Sequence, residues 1–204
     1  NLLRFAYRKS RIITIMNNTK SIYYPPGGIL IWIIIYLELL TFGMAILALA
    51  YYGSQERELF HQSSLKLNKT IGTINTILLL SSGFFVAKGI HFFKESNIKK
   101  ALLYFNWAMV GGFGFLVLKS VEYYEKLEVG LHMDYNSFFR FYWLLTGFHF
   151  IHVLVGLVIL IIISFSIRKK QANASLEDID ASASFWHMCD LIWLLLFPVL
   201  YLLF

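Results

Sequence analysis

The chain has 204 residues, of which 58% are hydrophobic and 18% are aromatic, whereas only 15% are charged. Soluble domains carry about 25% charged residues, so this composition excludes an ordinary soluble domain and indicates a membrane protein. The net charge of +6 does not predict a nucleic-acid partner, because the lysines and arginines lie in short clusters beside apolar runs, as topology signals do. The single cysteine, Cys189, excludes a disulfide within this sequence.

Residues 1–27 form a basic segment ahead of the first long apolar run. This segment has no small-residue cleavage site after an apolar stretch, so we do not expect it to be a signal peptide. Met16 is a candidate initiator, which would make residues 1–15 an upstream extension. The adjacent Pro25-Pro26-Gly27-Gly28 stretch prevents a helix from continuing backwards into this segment.

Residues 28–204 are expected to form a membrane domain of five helices. A span needs about 20 apolar residues, because these rise about 1.5 Å each across a hydrocarbon core of roughly 30 Å. Five apolar runs meet this requirement, and polar or basic segments separate them. The sequence therefore predicts an all-α integral membrane protein, a five-transmembrane-helix bundle. The predicted spans are about 28–52, 71–93, 101–124, 138–167 and 185–204.

The distribution of basic residues predicts the orientation of this bundle. With five spans, the two termini lie on opposite sides of the membrane. Eleven Lys and Arg residues fall on the side of the N-terminus and five on the other side. Because basic residues are enriched in cytoplasmic loops, we expect the N-terminus inside and the C-terminus outside.

Several charged side chains lie within the predicted spans. Glu38 stands near the middle of the first span, where a carboxylate is expected to be protonated, paired or facing water. Lys88 lies near the end of its span and is expected to extend its ammonium group to the interface. Lys119 and Glu122 are three residues apart on one helix face, so we predict an internal ion pair.

Two pairs of polar residues with i,i+3 spacing suggest two alternatives. His149 and His152 form one pair, and His187 and Asp190 form the other. If these four side chains faced one another, they could ligate zinc, copper or iron. Hydrogen bonds between helices are the favoured alternative, because this spacing arises readily by chance and no HExxH motif or cysteine set accompanies it. The sequence also lacks a GxSxG motif, a Walker loop and a CxxCH motif, so no catalytic constellation is predicted.

Five motifs occur in order along the five spans. They are LELLTFG (37–43), KLNKTIGTINTILLLSSG (66–83), LKSVEYYE (118–125), TGFHFIHVLVG (146–156) and FWHMCDLIWLLLF (185–197). Together they resemble the motifs of subunit III of haem–copper terminal oxidases, in the short five-span form. The resemblance covers about residues 28–204 and all five spans.

This resemblance implies a non-catalytic subunit of a respiratory cytochrome c or quinol oxidase in a bacterial cytoplasmic membrane. Such a subunit carries no haem, copper or other metal of its own and binds phospholipid. It packs beside catalytic subunit I, which holds haem and copper, and with subunit II. It supports the stability and proton uptake of the catalytic subunit in aerobic electron transport.

The resemblance also assigns roles to individual residues. Glu38 would be the intramembrane carboxylate that reacts with carbodiimide. A cluster of buried polar residues would contact lipid or the catalytic subunit. A metal site at the histidines is then no longer favoured. The residues expected in this cluster are Glu122, His149, His152, His187, Asp190 and Trp193.

The sequence departs from the family pattern at several points. Longer members have seven spans, Lys119 replaces the usual Gln, and Pro198 is expected to interrupt the last helix. One alternative is an accessory protein of a nitric oxide reductase. An alternative of another class is a small proton-coupled transporter that uses Glu38 and the histidines, although no inverted repeat accompanies them.

Overall fold

The computed structural model describes residues 25–169 and 175–204, so the prediction of an upstream extension at residues 1–15 lies outside the described residues. Over the described ranges the chain forms six helices and no strand. The helices are α1 (Ile29–Gln55), α2 (Arg57–Ser64), α3 (Lys69–Lys94), α4 (Ile98–Glu128), α5 (Ser137–Arg168) and α6 (Leu176–Tyr201).

Five of these helices, all except α2, are long and apolar enough to cross a membrane. This confirms the predicted all-α bundle of five spans. Helices α1, α3, α4 and α5 begin and end within four residues of the predicted limits. The orientation of the termini stays a prediction.

Polar caps define where four of the spans begin. The side chains of Asn68, Asn97 and Asn136 each accept a hydrogen bond from a backbone N–H in the first turn of α3, α4 and α5. At α6, the Ser175 side chain accepts from the backbone of Asp178 while the Asp178 carboxylate accepts from the Ser175 N–H. These bonds satisfy backbone donors that have no partner within the helix.

The structure corrects two predictions about the last span. Helix α6 begins at Leu176 rather than near residue 185, because the reciprocal cap at Ser175 starts the helix in the polar segment. Pro198 does not interrupt the helix, which continues to Tyr201. A proline removes one N–H donor and clashes with the preceding turn, and here only three helical residues follow it.

The structure also contains a short helix, α2, in the polar segment between the first two predicted spans. Helix α2 buries Phe60, Ser63 and Ser64 on one face. The Phe60 ring packs edge to face against Phe138 at the start of α5, with 5.5 Å between the ring centroids. Helix α2 therefore packs against α1 and the start of α5 at one end of the bundle.

Helix α6 lies at the centre of the bundle and is the most buried span. It contacts α1, α3 and α5, whereas α3 packs chiefly on α4. Helix α1 is the least buried span and contacts only α2, α5 and α6 to a substantial extent among the described helices. The core is thus formed by α3 to α6, with α1 added at its side.

Two glycines make room for a large side chain at this centre. Trp186 of α6 is fully buried. A Cβ atom added at Gly112 of α4 would lie 2.5 Å from its indole ring, and one at Gly156 of α5 would lie 2.9 Å from it. The absence of side chains at these positions allows α4 and α5 to approach the indole closely.

We predict that Gly156→Ala destabilises the bundle by about 1–3 kcal/mol, because the added methyl group overpacks the Trp186 site. Gly147→Ala is the matched control on the same helix, since nothing lies within 4 Å of its added Cβ. Thermal unfolding of the purified chain in detergent measures both. Equal stability of the two variants would contradict this account of the packing.

Candidate functional site

A network of four buried side chains joins three of the four core helices, α4, α5 and α6. We call it the Lys119 network; its members are Lys119, Glu122, Tyr142 and Tyr201, and each is fully buried. The Lys119 Nζ atom donates to Glu122 Oε2 at 3.0 Å, to the Tyr142 hydroxyl at 3.2 Å and to the Tyr201 hydroxyl at 2.9 Å. The structure thus contains the ion pair that the spacing of Lys119 and Glu122 predicted.

Tyr142 and Tyr201 complete the network by donating hydrogen bonds to the Glu122 carboxylate. The hydroxyl of Tyr142 donates to Glu122 Oε1 at 3.0 Å, and that of Tyr201 donates to the same oxygen at 2.7 Å. An ammonium group has three N–H donors, and all three are used here. Each hydroxyl accepts from Lys119 and donates to Glu122. The two charges therefore cancel locally, and every donor in the network has an acceptor.

Aromatic rings surround the ammonium group of Lys119. Its Nζ atom lies 4.8 Å from the ring centre of Tyr142, 5.2 Å from Tyr123, 5.3 Å from Trp193 and 5.5 Å from Tyr201. A cation within about 6 Å of a ring centre is attracted by the negative face of the ring when it lies over that face. The rings therefore add to the stabilisation that the carboxylate provides.

His149 lies deeper in the bundle and has an aromatic environment. It is fully buried, and neither ring nitrogen has a hydrogen-bond partner within the described part of the chain. Its ring stacks on Trp193 with 5.3 Å between centroids and meets the edges of Phe115 and Phe42. Among the described residues, aromatic rings occupy the positions around His149, and no hydrogen bond from it to another helix is present.

His152 pairs with Glu38 and so links α5 to α1. Its Nε2 atom lies 3.2 Å from Glu38 Oε1, and its Nδ1 atom lies 2.8 Å from the carbonyl oxygen of Phe148. A carbonyl only accepts, so Nδ1 carries a proton. The Nε2–Oε1 contact then holds a single proton, either on the imidazole of an ion pair or on the carboxyl group of a neutral pair.

His187 and Asp190 form the second i,i+3 pair, on α6. The Nδ1 atom of His187 lies 3.3 Å from Asp190 Oδ2. His187 was expected among the buried polar residues, and this is wrong: its side chain is 43% exposed, whereas that of Asp190 is only 10% exposed. A Cβ atom added at Gly83 of α3 would lie within 3.0 Å of the Asp190 carboxyl carbon and closer still to Oδ2. The glycine thus allows the carboxylate to lie directly against the backbone of α3.

The four candidate metal ligands do not share one set of surroundings. His152 faces Glu38, His149 lies among aromatic rings, and His187 faces Asp190. Across residues 25–169 and 175–204, no three His, Cys, Asp or Glu side chains group closely enough to hold a metal ion. The two pairs therefore do not form the four-ligand site that their spacing allowed.

Sequence reasoning missed the two tyrosines of the Lys119 network. Tyr142 and Tyr201 lie in apolar runs, where a tyrosine is read as another hydrophobic residue. It also missed the partner of Trp193, whose indole N–H donates to the Thr76 hydroxyl on α3 at 2.9 Å. No spacing signal identifies these partners, because each lies on another helix.

These features define a helical membrane protein with a buried ion pair, Lys119–Glu122, inside the bundle. The family model of cytochrome c oxidase subunit III matches residues 65–203, which is more than half of the chain. The chain therefore belongs to the cytochrome c oxidase subunit III family, and the resemblance found in the sequence motifs is confirmed. The match includes α3 to α6 but not Glu38.

Curated relatives agree with this assignment. Cytochrome c oxidase subunit 3 of Thermostichus vulcanus is 31% identical over 65% of this chain and 66% of that one. The protein of the same name from Synechocystis sp. is 34% identical over 64% of this chain and 55% of its own length. Cytochrome bo(3) ubiquinol oxidase subunit 3 of Buchnera aphidicola is 25% identical over 84% of both chains. The chain thus spans one half to two-thirds of the cytochrome c oxidase subunits it matches.

We predict that Lys119→Met and Glu122→Gln each destabilise the protein by about 3–5 kcal/mol, because each leaves an uncompensated buried charge. The double variant should lose less than the sum of the two, since it removes both charges. Lys88→Met is the control, because the Lys88 side chain is exposed. A double-mutant cycle from thermal or denaturant unfolding measures the coupling, and strict additivity would contradict the network.

We predict that an apolar carbodiimide labels Glu38, whose side chain is 22% exposed, and that Glu38→Gln removes the label. Glu58→Gln is the control and should keep the label, because Glu58 is an exposed carboxylate on the short helix α2 and its change leaves the buried network intact. Mass spectrometry of the labelled chain locates the adduct. Labelling that persists in Glu38→Gln would show that another carboxylate reacts.

Proposed function

We propose that this chain is the non-catalytic subunit III of a respiratory haem–copper oxidase. In this role it packs beside catalytic subunit I, with subunit II in the same complex, and steadies the catalytic subunit during proton uptake. The observation that carries the proposal is the family match over residues 65–203, which includes four of the five spans. Haem and copper belong to the partner in this proposal, and this chain holds no metal.

The arrangement of polar groups supports a structural role. In the Lys119 network, every hydrogen bond of the charged groups is directed at another member of the network. Such a closed network fixes the positions of α4, α5 and α6 and makes them a rigid unit. A rigid helical unit with apolar outer faces is suited to side-by-side packing with other membrane helices and with phospholipid.

Glu38 and His152 supply a proton-binding pair at the side of this unit. Helix α1 exposes large apolar side chains such as Leu30, Leu40 and Leu47, and Glu38 is partly exposed on the same helix. We infer that this pair faces either the catalytic subunit or lipid. The buried members of the rest of the polar cluster, Glu122, His149, Asp190 and Trp193, then act through the packing of the core, whereas His187 is exposed.

Two electron donors, cytochrome c and quinol, fit this role. The greater identity is to cytochrome c oxidase subunits, whereas the more complete alignment is to a ubiquinol oxidase subunit. The proposal includes both oxidases and locates the complex in a bacterial cytoplasmic membrane. Oxidation of added cytochrome c or of added quinol by the purified complex distinguishes them.

Affinity purification of the full chain from its native membranes in mild detergent tests the proposal. A haem-containing catalytic subunit should be recovered with it, and deletion of its gene should shorten the period of sustained oxygen consumption. A stable, haem-free protein recovered with no oxidase subunit would contradict the proposal. Loss of nitric oxide reduction with unchanged oxygen consumption would instead indicate the reductase alternative.

The transporter alternative is tested in the same preparation. Proteoliposomes that contain this chain alone should show no proton-coupled solute uptake if its role is to support an oxidase. The matched control is the Glu38→Gln variant, which lacks the proton-binding carboxylate. Uptake by the unmodified chain that disappears in this variant would favour the transporter.

A further inference from the structure

His187 presents an exposed imidazole on the side of a membrane-spanning helix. Helix α6 contacts both α1 and α3, but among the described helices these two have no substantial contact with each other. A face of α6 is therefore open between them, and we call it the α6 groove; its exposed residues are His187, Leu191, Leu194 and Pro198. We propose that the α6 groove binds the head group of a membrane-soluble quinone, with one ring carbonyl accepting a hydrogen bond from His187 Nε2.

Asp190 determines which nitrogen of His187 is available to a ligand. The Nδ1 atom lies 3.3 Å from Asp190 Oδ2. It also lies close to the backbone of α3, since a Cβ atom added at Gly83 would be 3.4 Å from it. The opposite nitrogen, Nε2, has no hydrogen-bond partner among the described residues. The imidazole therefore turns Nδ1 toward α3 and leaves Nε2 for a ligand in the groove.

The cost of a net charge in the membrane makes Nε2 a donor. The His187–Asp190 pair is neutral overall either as an imidazolium with a carboxylate or as an imidazole with a protonated carboxyl group. In the first state both ring nitrogens carry protons. In the second state Nδ1 accepts from the carboxyl group, so the proton of the ring is on Nε2. Nε2 therefore offers an N–H in either state, and its ligand must supply an acceptor.

The depth of His187 restricts the source of that acceptor. Lys94 of α3 pairs with Asp180 near the polar start of α6, with 3.2 Å between Nζ and Oδ1. His187 lies seven residues further along α6, about 10 Å deeper. Its partner Asp190 is deeper still, so the imidazole does not extend back to the surface. Water and the polar groups of lipids lie near the surface, whereas the hydrocarbon region itself supplies no acceptor.

A quinone head group provides an acceptor inside the hydrocarbon region. Its ring carbonyls have no internal partner, whereas the backbone carbonyls of a neighbouring helix are already bonded within that helix. A polar side chain on such a helix would also serve, but polar side chains are rare in spans. Leu191 and Leu194 lie on the same face as His187 and are 47% and 44% exposed, so they offer apolar surface to the ring and its tail.

The choice of a quinone rests on the proposed function, since a respiratory membrane contains quinones as electron carriers. The hydrogen-bond argument concerns this chain alone, so binding is measured on the purified full chain. Failure to bind would then leave the oxidase role intact. Recovery of the chain without a haem-containing subunit would contradict the oxidase role and leave the binding result intact.

Titration of the full chain in detergent with a decyl-substituted benzoquinone, followed by native mass spectrometry, tests the proposal. The comparison probe has the same ring substituents and tail but hydrogen in place of the carbonyl oxygens. The quinone should bind about fivefold more tightly than this probe, because one hydrogen bond contributes about that factor. His187→Phe should weaken binding of the quinone about fivefold and leave binding of the comparison probe unchanged.

Two further variants complete the test. His187→Gln retains an N–H donor and should bind the quinone within about twofold of the unmodified chain. His132→Phe makes the aromatic substitution at an exposed histidine between α4 and α5 and should have no effect. If His187→Phe is unstable, the two probes on the unmodified chain carry the test. Equal affinity for the two probes, or unchanged quinone binding in His187→Phe, would overturn the proposal.

Other occupants of the α6 groove would be recognised in native membranes. A photoreactive residue in place of Leu194 should cross-link to added quinone. A cross-link to a protein instead would indicate that a partner helix covers the groove, and a cross-link to lipid alone would indicate an apolar surface without a quinone site. Either of these two results would overturn the proposal.

Discussion

The ion pair between Lys119 and Glu122 constrains the whole bundle. Removing two charges from water costs several kcal/mol for each ion, and their attraction offsets this cost only when further hydrogen bonds satisfy the remaining donors and acceptors. Tyr142 and Tyr201 provide those hydrogen bonds from α5 and α6. The pair is therefore stable only when the three helices are assembled in one register, so it favours that register over others.

The remaining polar groups form less constrained contacts around this network. His149 rests on Trp193, and the Trp193 indole also lies 5.3 Å from the Lys119 ammonium group. Helix α1 is attached through Glu38 and His152, a contact that shares one proton and lies at a partly exposed face. The bundle thus combines a fully hydrogen-bonded Lys119 network at its centre with a Glu38–His152 pair at a partly exposed side.

The sequence predicted the spans well because their apolar runs report directly on burial in lipid. It also predicted the Lys119–Glu122 pair, since both residues lie on one helix at a fixed spacing. It did not identify Tyr142, Tyr201 or the pairing of Glu38 with His152, because partners on different helices depend on packing. The start of α6 lies outside the predicted span, because the acidic residues of its first turns lower the hydropathy there, although Ser175 and Asp178 have the spacing of a reciprocal cap.

The central claim is that Glu122 is an ionised carboxylate held by Lys119 and the two tyrosines. Infrared spectroscopy of the unmodified chain and of Glu122→Gln in the same membrane tests it directly. An ionised group predicts that the difference spectrum loses a carboxylate stretching band and no band of a protonated carboxyl group. Loss of a protonated carboxyl band instead would mean that the pair is neutral, and would contradict this description of the bundle's centre.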